Sequence, residues 1–306
     1  MTSEPPCAQD LKTTLGMHSV TVVGTGLYGM EDWMPVADVV GEVAGAGGVR
    51  PLAGRHLVVT GGSRGLGEHI VRLLLAHGAA VSTCGRSQDR LDDLNARLGR
   101  DGLPTVFTRS LDATDYEALA DFVEDAVAEH GGLHGAVACA GGAAGGGIDE
   151  ATAEDWTRTW ELNTGHAARL VALSSPHLRR AGSGSIVVVS SISGWKPGPQ
   201  AQYGAAKAAQ IHLVSSLARE LGPDGIRINA VSPGSMLIPG KRWDRMRLED
   251  PPAYERFLDE LPGRALVSPG EVAEVVGFLL SDQARGVSGA NIPVDRAQNA
   301  PTPEGY

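Results

Sequence analysis

Residues 56–77 read HLVVTGGSRGLGEHIVRLLLAH, and this stretch decides the fold. An apolar run, His56–Thr60, enters a glycine-rich turn at once, and an amphipathic segment through His77 follows. A buried strand feeding a helix is the first half of a strand–helix–strand unit. The same alternation recurs downstream. Strands are expected around Ala79–Cys84, Thr105–Arg109, Leu133–Ala138, Ser185–Ser190, Ile226–Val231 and Asn291–Val294. Helices are expected at Gln88–Arg100, Asp115–His130, Ala153–Arg180, Ala201–Leu221 and Pro269–Leu280. Ser185–Ser190 is apolar through its middle, as a strand covered on both faces must be. The fold class is therefore α/β, built of strand–helix–strand units with a parallel sheet covered by helices on both faces. Residues 1–53 lack this rhythm and read as an irregular extension to a single domain over 54–306.

Composition narrows the partners. The chain has 306 residues, 26 Lys plus Arg against 36 Asp plus Glu, and a net charge of −10. An acidic balance argues against a nucleic-acid surface, which needs clustered cations. No apolar run reaches the ~18 residues of a membrane span, and the N-terminus resembles no signal peptide. Cys7, Cys84 and Cys139 have neither disulfide-framework nor metal-ligand spacing, so no metal is expected and a cytoplasmic setting is.

Two glycine-rich turns compete for a phosphate-binding role. Gly24, Gly26 and Gly29 match G-x-G-x-x-G to the letter, but Pro35 interrupts any following helix. Gly61, Gly65 and Gly67 follow the looser T-G-x-x-x-G-x-G spacing, with a strand before and a helix after. That context lets the backbone approach a pyrophosphate at the helix N-terminus, so the second turn is the expected cofactor site. The next strand ends V-S-T-C-G-R-S, with Gly85 where an NAD site usually carries an acid. Arg86 follows Gly85, and Arg64 lies inside the glycine turn. Two guanidinium groups and no carboxylate suit a 2′-phosphate, so NADP(H) is expected, with NAD(H) the alternative.

Tyr203 and Lys207 stand in Y-G-A-A-K, an i, i+4 pair on one helix face. An adjacent ammonium favours phenolate, and moving a phenol from about pH 10 to 7 takes roughly 4 kcal/mol. Ser190 and Ser191 end the preceding buried strand, on the edge where a parallel sheet delivers reacting groups. Asn163 falls within the expected long helix, a poor place for Asn unless its side chain bonds something. Pro233 and Gly234 end the following strand on the same edge.

From about Leu52 to Ala297, these motifs in this order resemble the short-chain dehydrogenase/reductase family. The resemblance implies a Rossmann-like, doubly wound, seven-stranded parallel sheet with helices on both faces, and hydride transfer between nicotinamide and a carbonyl or alcohol. It implies that Tyr203 is the general acid in reduction and that Lys207 bonds the nicotinamide ribose and lowers the tyrosine pKa. Ser191 would orient the substrate oxygen, and Asn163 would hold a water relaying protons to Lys207. Of the two serines, Ser191 is chosen because it lies three residues before Gly194. The implied cofactor contacts are Gly61, Ser63, Arg64, Gly65, Leu66, Gly67, Arg86, Ser87, Asp112, Ala113, Cys139, Ala140, Gly141, Tyr203, Lys207, Pro233, Gly234 and Met236. A homo-oligomer, tetramer or dimer, is also expected.

The sequence departs from the family in three places. Ala138–Gly141 reads A-C-A-G instead of N-N-A-G, which puts local hydrogen bonding in question. Ile238 replaces the threonine expected after P-G, and Arg296 replaces a glycine in P-V-D-R-A. The substrate lid, about 235–265, carries Lys241, Arg242, Arg245 and Arg247 around Trp243. A solvated amphipathic helix is the favoured reading of that patch, and steering of an anionic substrate the sharper one. Trp195 is the best pocket candidate among Trp156, Trp160 and Trp195. The leading functional expectation is an NADPH-dependent ketoreductase, with a polyketide-like ketone in specialised biosynthesis as a candidate substrate. An NAD(P)-dependent secondary-alcohol dehydrogenase working oxidatively, and a non-catalytic cofactor-binding scaffold, are the alternatives.

Overall fold

The computed structural model describes residues 50–299, so the Gly24–Gly29 turn and Cys7 lie outside the described residues. Seven parallel strands form one sheet: β1 (His56–Thr60), β2 (Ala80–Gly85), β3 (Phe107–Ser110), β4 (Gly135–Ala138), β5 (Gly184–Val189), β6 (Ile226–Pro233) and β7 (Asn291–Val294). Their order is β3-β2-β1-β4-β5-β6-β7, so the winding reverses between β1 and β4. A crevice opens at such a reversal, beyond the C-terminal ends of the strands.

Side-chain alternation along the strands separates two cores. Val59, Val81, Val137, Val187 and Val231 pack on one face with α1 (Gly65–Ala76), α2 (Gln88–Arg100) and α9 (Pro269–Leu280). Val58, Ala136, Ile186, Val188 and Ile228 pack on the other. That second layer is α3 (Tyr116–His130), α5 (His166–Ala181) and α6 (Ala201–Leu221). The register brings Thr60 of β1 opposite Cys84 of β2 and Ala138 of β4, which aligns the three strand ends.

Two expectations needed correction. The strand expected at Thr105–Arg109 lies at Phe107–Ser110, as a half-covered edge strand of the sheet. The single helix expected over Ala153–Arg180 is three pieces: α4 (Ala153–Trp160), a π-helical segment Glu161–Gly165, and α5. The cause is Asn163, whose side-chain amide donates to the Thr159 carbonyl at 2.7 Å and to the Gly142 carbonyl at 2.7 Å. A side chain that takes the i−4 carbonyl displaces the backbone bond there, and the helix widens by one residue to accommodate it. The lid holds two helices, α7 (Arg242–Glu249), which is the expected solvated basic helix, and α8 (Pro251–Asp259), packed by Trp243 stacking on Phe257 at 3.8 Å.

Buried histidines brace both sides of the sheet. His56 meets the Gly132 carbonyl at 2.6 Å and the Ser82 hydroxyl at 2.8 Å, and burial lowers its pKa to about 4. Burial likewise takes His166 to about 4. Both stay neutral when folded and charge near pH 6.5 when unfolded, so the unfolded state binds more protons between those values. Stability is therefore expected to fall as pH drops from about 6.5 to 4, by on the order of 3 kcal/mol for each histidine. Chemical denaturation at pH 7 and pH 4.5, with His56→Gln alongside wild type, checks this; an equally steep loss in the variant contradicts it.

Candidate active site

The glycine turn shows why its residues are small. A Cβ on Gly67 would lie 2.1 Å from the Gly61 carbonyl oxygen, so α1 can approach the turn only with glycine there. Gly61 and Gly65 have φ of 76° and 55°, the left-handed region that glycine adopts without strain. Gly61 faces the backbone of Ala140, across the crevice between β1 and β4. Arg64 precedes α1 without capping it by a side chain, so the N–H groups of its first turn point into the crevice mouth unspent on a cap. Leu66 is buried beneath the turn.

Thr60 supplies the bonding that the A-C-A-G sequence put in question. Its hydroxyl oxygen accepts from the N–H groups of Cys139 at 3.1 Å and Ala140 at 3.4 Å. It also meets His166 Nε2 at 2.9 Å, while His166 Nδ1 meets the Leu162 carbonyl at 3.0 Å. The carbonyl fixes the proton on Nδ1, leaving Nε2 to accept from the threonine. The Cys139 thiol is pushed up to about 12 by burial, so it packs and does not react. Gly141 lies over both Asn163 and Lys207, where a Cβ would come within 2.9 Å of Asn163 Oδ1 and 3.4 Å of Lys207 Nζ.

The end of β2 is cationic. A Cβ on Gly85 would lie 2.9 Å from the Ser63 hydroxyl, so the turn crowds the slot that an acidic side chain would need. Burial, then repulsion from Arg90 and Arg86, holds the Arg64 guanidinium below its usual range. Lys241 of the lid is lowered by burial and by Arg64, Arg90, Arg245 and Arg86. Among the described residues, Arg64, Arg86, Arg90 and Lys241 enter no ion pair. The sequence pointed to Arg64 and Arg86. It read Lys241 as part of a solvated helix, with substrate steering as the sharper alternative, and missed Arg90, in the first turn of α2. Ser87 caps α2, accepting from the Arg90 N–H at 3.4 Å. Asp112 accepts from the Thr114 N–H and hydroxyl at 3.0 and 2.8 Å. Burial raises its pKa, but these bonds and the nearby Arg86 bring it below the usual carboxylate value. Ala113 is buried beside it.

The catalytic candidates converge from three elements. Tyr203 and Lys207 occupy the first two turns of α6, with Nζ 5.5 Å from the phenol ring centroid. Burial raises the Tyr203 pKa, and a hydrogen bond with Ser191 pulls the other way. The expected lowering by Lys207 is absent from this arrangement because the ammonium turns elsewhere. It donates to the Val189 carbonyl at 2.8 Å and to Gln210 Oε1 at 3.0 Å. Burial lowers the Lys207 pKa to about 7. The two serines divide: Ser190 is buried and donates to the Lys207 carbonyl at 2.9 Å, whereas the Ser191 hydroxyl meets Tyr203. Gln210, which no motif flagged, donates to the Asn163 carbonyl at 3.0 Å.

The remaining expectations fall at the rim. Pro233 ends β6, Gly234 donates to the Val294 carbonyl, and Met236 pairs with Val267 at the base of the lid. Ile238 packs toward Gly65, 3.4 Å from where a Cβ would stand. Trp195 donates to Asn299 at 3.0 Å, and Gln298 holds Ser235, so the segment after β7 borders the same edge. Arg296 pairs with Glu271 at 2.6 Å. Among the described residues no cluster could hold a metal ion and no helix is long and apolar enough to cross a membrane. An uncapped helix start, a backbone cleared of Cβ atoms and four unpaired cations together fit an anionic dinucleotide.

Comparison with known proteins agrees. The family described as Enoyl-(Acyl carrier protein) reductase matches residues 61–296. Isoepoxydon dehydrogenase patN of Penicillium expansum is 34% identical over 80% of this chain and 94% of its own. The 3-oxoacyl-[acyl-carrier-protein] reductase MabA of Mycobacterium tuberculosis is 34% identical over 80% of this chain and 93% of its own. The crystal structure of L-sorbose reductase from Gluconobacter frateurii, complexed with NADPH and L-sorbose, superposes with a TM-score of 0.77 at 28% identity. That likeness covers 83% of this chain and 100% of the reductase. With the sheet order, the glycine turn and the serine–tyrosine–lysine convergence, these matches establish that the chain belongs to the short-chain dehydrogenase/reductase family, as an NAD(P)-dependent oxidoreductase acting on CH–OH or C=O groups.

Proposed function

We propose that this enzyme is an NADPH-dependent ketoreductase. The observation that carries the reading is the group of four unpaired cations, Arg64, Arg86, Arg90 and Lys241, around a β2 end where Gly85 supplies no carboxylate. Like charges held together without an ion pair destabilise one another, and a 2′-phosphate would relieve that repulsion. Lys241 comes from the lid, so the same phosphate would draw the lid toward the glycine turn. This reading takes Lys241 away from substrate steering. Arg247 is already paired with Asp244 at 2.8 Å.

The bound cofactor supplies the hydride; the chain supplies position and a proton. Tyr203 stands as the general acid for the carbonyl oxygen, its phenol held protonated by burial. Ser191, bonded to Tyr203, is placed to donate to the same oxygen and fix its orientation. Lys207 presents a buried positive charge beneath the reacting groups, and Asn163 holds the Gly142 backbone that lines the crevice. A 3-oxoacyl thioester reductase and a sugar ketone reductase among the relatives support a ketone as substrate class.

Fluorescence titration is expected to give NADPH tighter binding than NADH. Arg86→Ala and Lys241→Ala should each weaken NADPH about tenfold, the loss of one charge-assisted contact, while leaving NADH unchanged. Equal affinities in wild type would overturn the cofactor assignment.

Turnover separates the two serines. Against a carbonyl panel, Tyr203→Phe should lower kcat by about 10³ and Ser191→Ala by about 10², both retaining NADPH binding. Ser190→Ala should instead cost about 1 kcal/mol of stability through its lost bond to the Lys207 carbonyl. The reverse pattern would move the substrate contact to Ser190.

A further inference from the structure

We infer that Gln210 is a positioning residue of the catalytic centre, its side-chain amide holding the Lys207 ammonium to the backbone of the π-helical segment. The inference rests on the oxidoreductase site described above, and it concerns a side chain that no motif marks.

The geometry is a closed bridge. Gln210 Oε1 accepts from Lys207 Nζ at 3.0 Å, and Gln210 Nε2 donates to the Asn163 carbonyl at 3.0 Å. Gln210 and Asn163 are fully buried and Lys207 nearly so. Asn163 is itself pinned to Thr159 and Gly142, so the bridge runs from the crevice wall to the ammonium without a break. The Asn163 carbonyl also accepts from the His166 N–H, and its second lone pair takes the Gln210 amide. Donation at one end of an amide strengthens the acceptor at the other, so the Asn163 bond improves the oxygen that faces Lys207.

The surroundings make that oxygen matter. The titratable groups facing Lys207 are Cys139 from the end of β4, His166 from α5 and Tyr203 from its own helix. Burial keeps the thiol protonated, the imidazole neutral and the phenol protonated. None of the three is an anion, so the positive charge rests on two neutral acceptors, the Val189 carbonyl and Gln210 Oε1. Those use two of the three ammonium N–H groups, and the third remains for the reacting groups. An amide does not exchange protons readily, so this bridge fixes the ammonium in place and does not conduct protons along the Asn163 side.

The test reads the ammonium directly, in the full-length protein without cofactor. The Lys207 ¹³Cε resonance, assigned by its loss in Lys207→Arg, is titrated in wild type, Gln210→Met and Gln210→Glu. Met keeps the volume and removes the acceptor; Glu keeps the acceptor and adds a charge. The midpoint is expected to fall by about one pH unit in the Met variant and to rise by about one in the Glu variant, with cooperative melting in both. A midpoint unmoved in both overturns the inference, since a merely structural glutamine would change melting alone. Should the Met variant not fold, an unmoved Glu midpoint overturns it by itself. Because the titration needs neither NADPH nor a carbonyl, failure of the ketoreductase reading leaves a separate signature in the turnover assays.

Discussion

The Thr60 hydroxyl holds the arrangement together. It stands at the end of β1, where the winding of the sheet reverses, and gathers the N–H groups of Cys139 and Ala140 with the His166 ring. Strands ending side by side do not by themselves make a site. The hydroxyl keeps the chain after β4 from closing over the glycine turn, so the backbone of Ala140 lies against Gly61 and Gly141 sits over Asn163 and Lys207. A neutral histidine completes the arrangement, because a charged imidazole could not accept the threonine proton.

Electrostatics divide the crevice into two different positive regions. At the β2 end, four cations lie at the surface without partners, and their mutual repulsion is a standing cost that an anion removes. Beneath the catalytic groups, Lys207 is a single buried charge, lowered to about 7 and supported by carbonyl-type oxygens alone. The first region selects a ligand by charge. The second depends on hydrogen-bond geometry, since a buried ammonium with a missing acceptor loses its charge before it loses its place. In a chain of net charge −10, the four cations at the β2 end form a local positive group beside the glycine turn.

The π-helical segment shows how a local irregularity carries a site. An unbroken helix over Ala153–Arg180 was the natural reading of the sequence periodicity. Asn163 breaks it by bonding Thr159 through its side chain, and its own carbonyl takes the Gln210 amide. The oddity of Asn inside a helix was legible in the sequence; its consequence was not, because both Gly142 and Gln210 are distant in the chain. The second glycine pattern and the choice between Ser190 and Ser191 had the same character. Motif spacing proposed the candidates, and only packing showed that the Ser190 hydroxyl is spent on the Lys207 carbonyl.

The sequence by itself determined what depends on near neighbours: the alternation of strands and helices, the glycine turn after β1, and the pairing of Tyr203 with Lys207 one helical turn apart. Hydrophobic periodicity and i, i+4 spacing are properties of a few adjacent residues, so they can be read without the fold. Tertiary structure alone decided which cations gather around Gly85, where the Lys207 ammonium points, and that Thr60 meets both the chain after β4 and the His166 ring. Those outcomes join residues brought together only when the crossover helices pack on the sheet, and they turn on differences of an ångström or two that no spacing along the chain encodes.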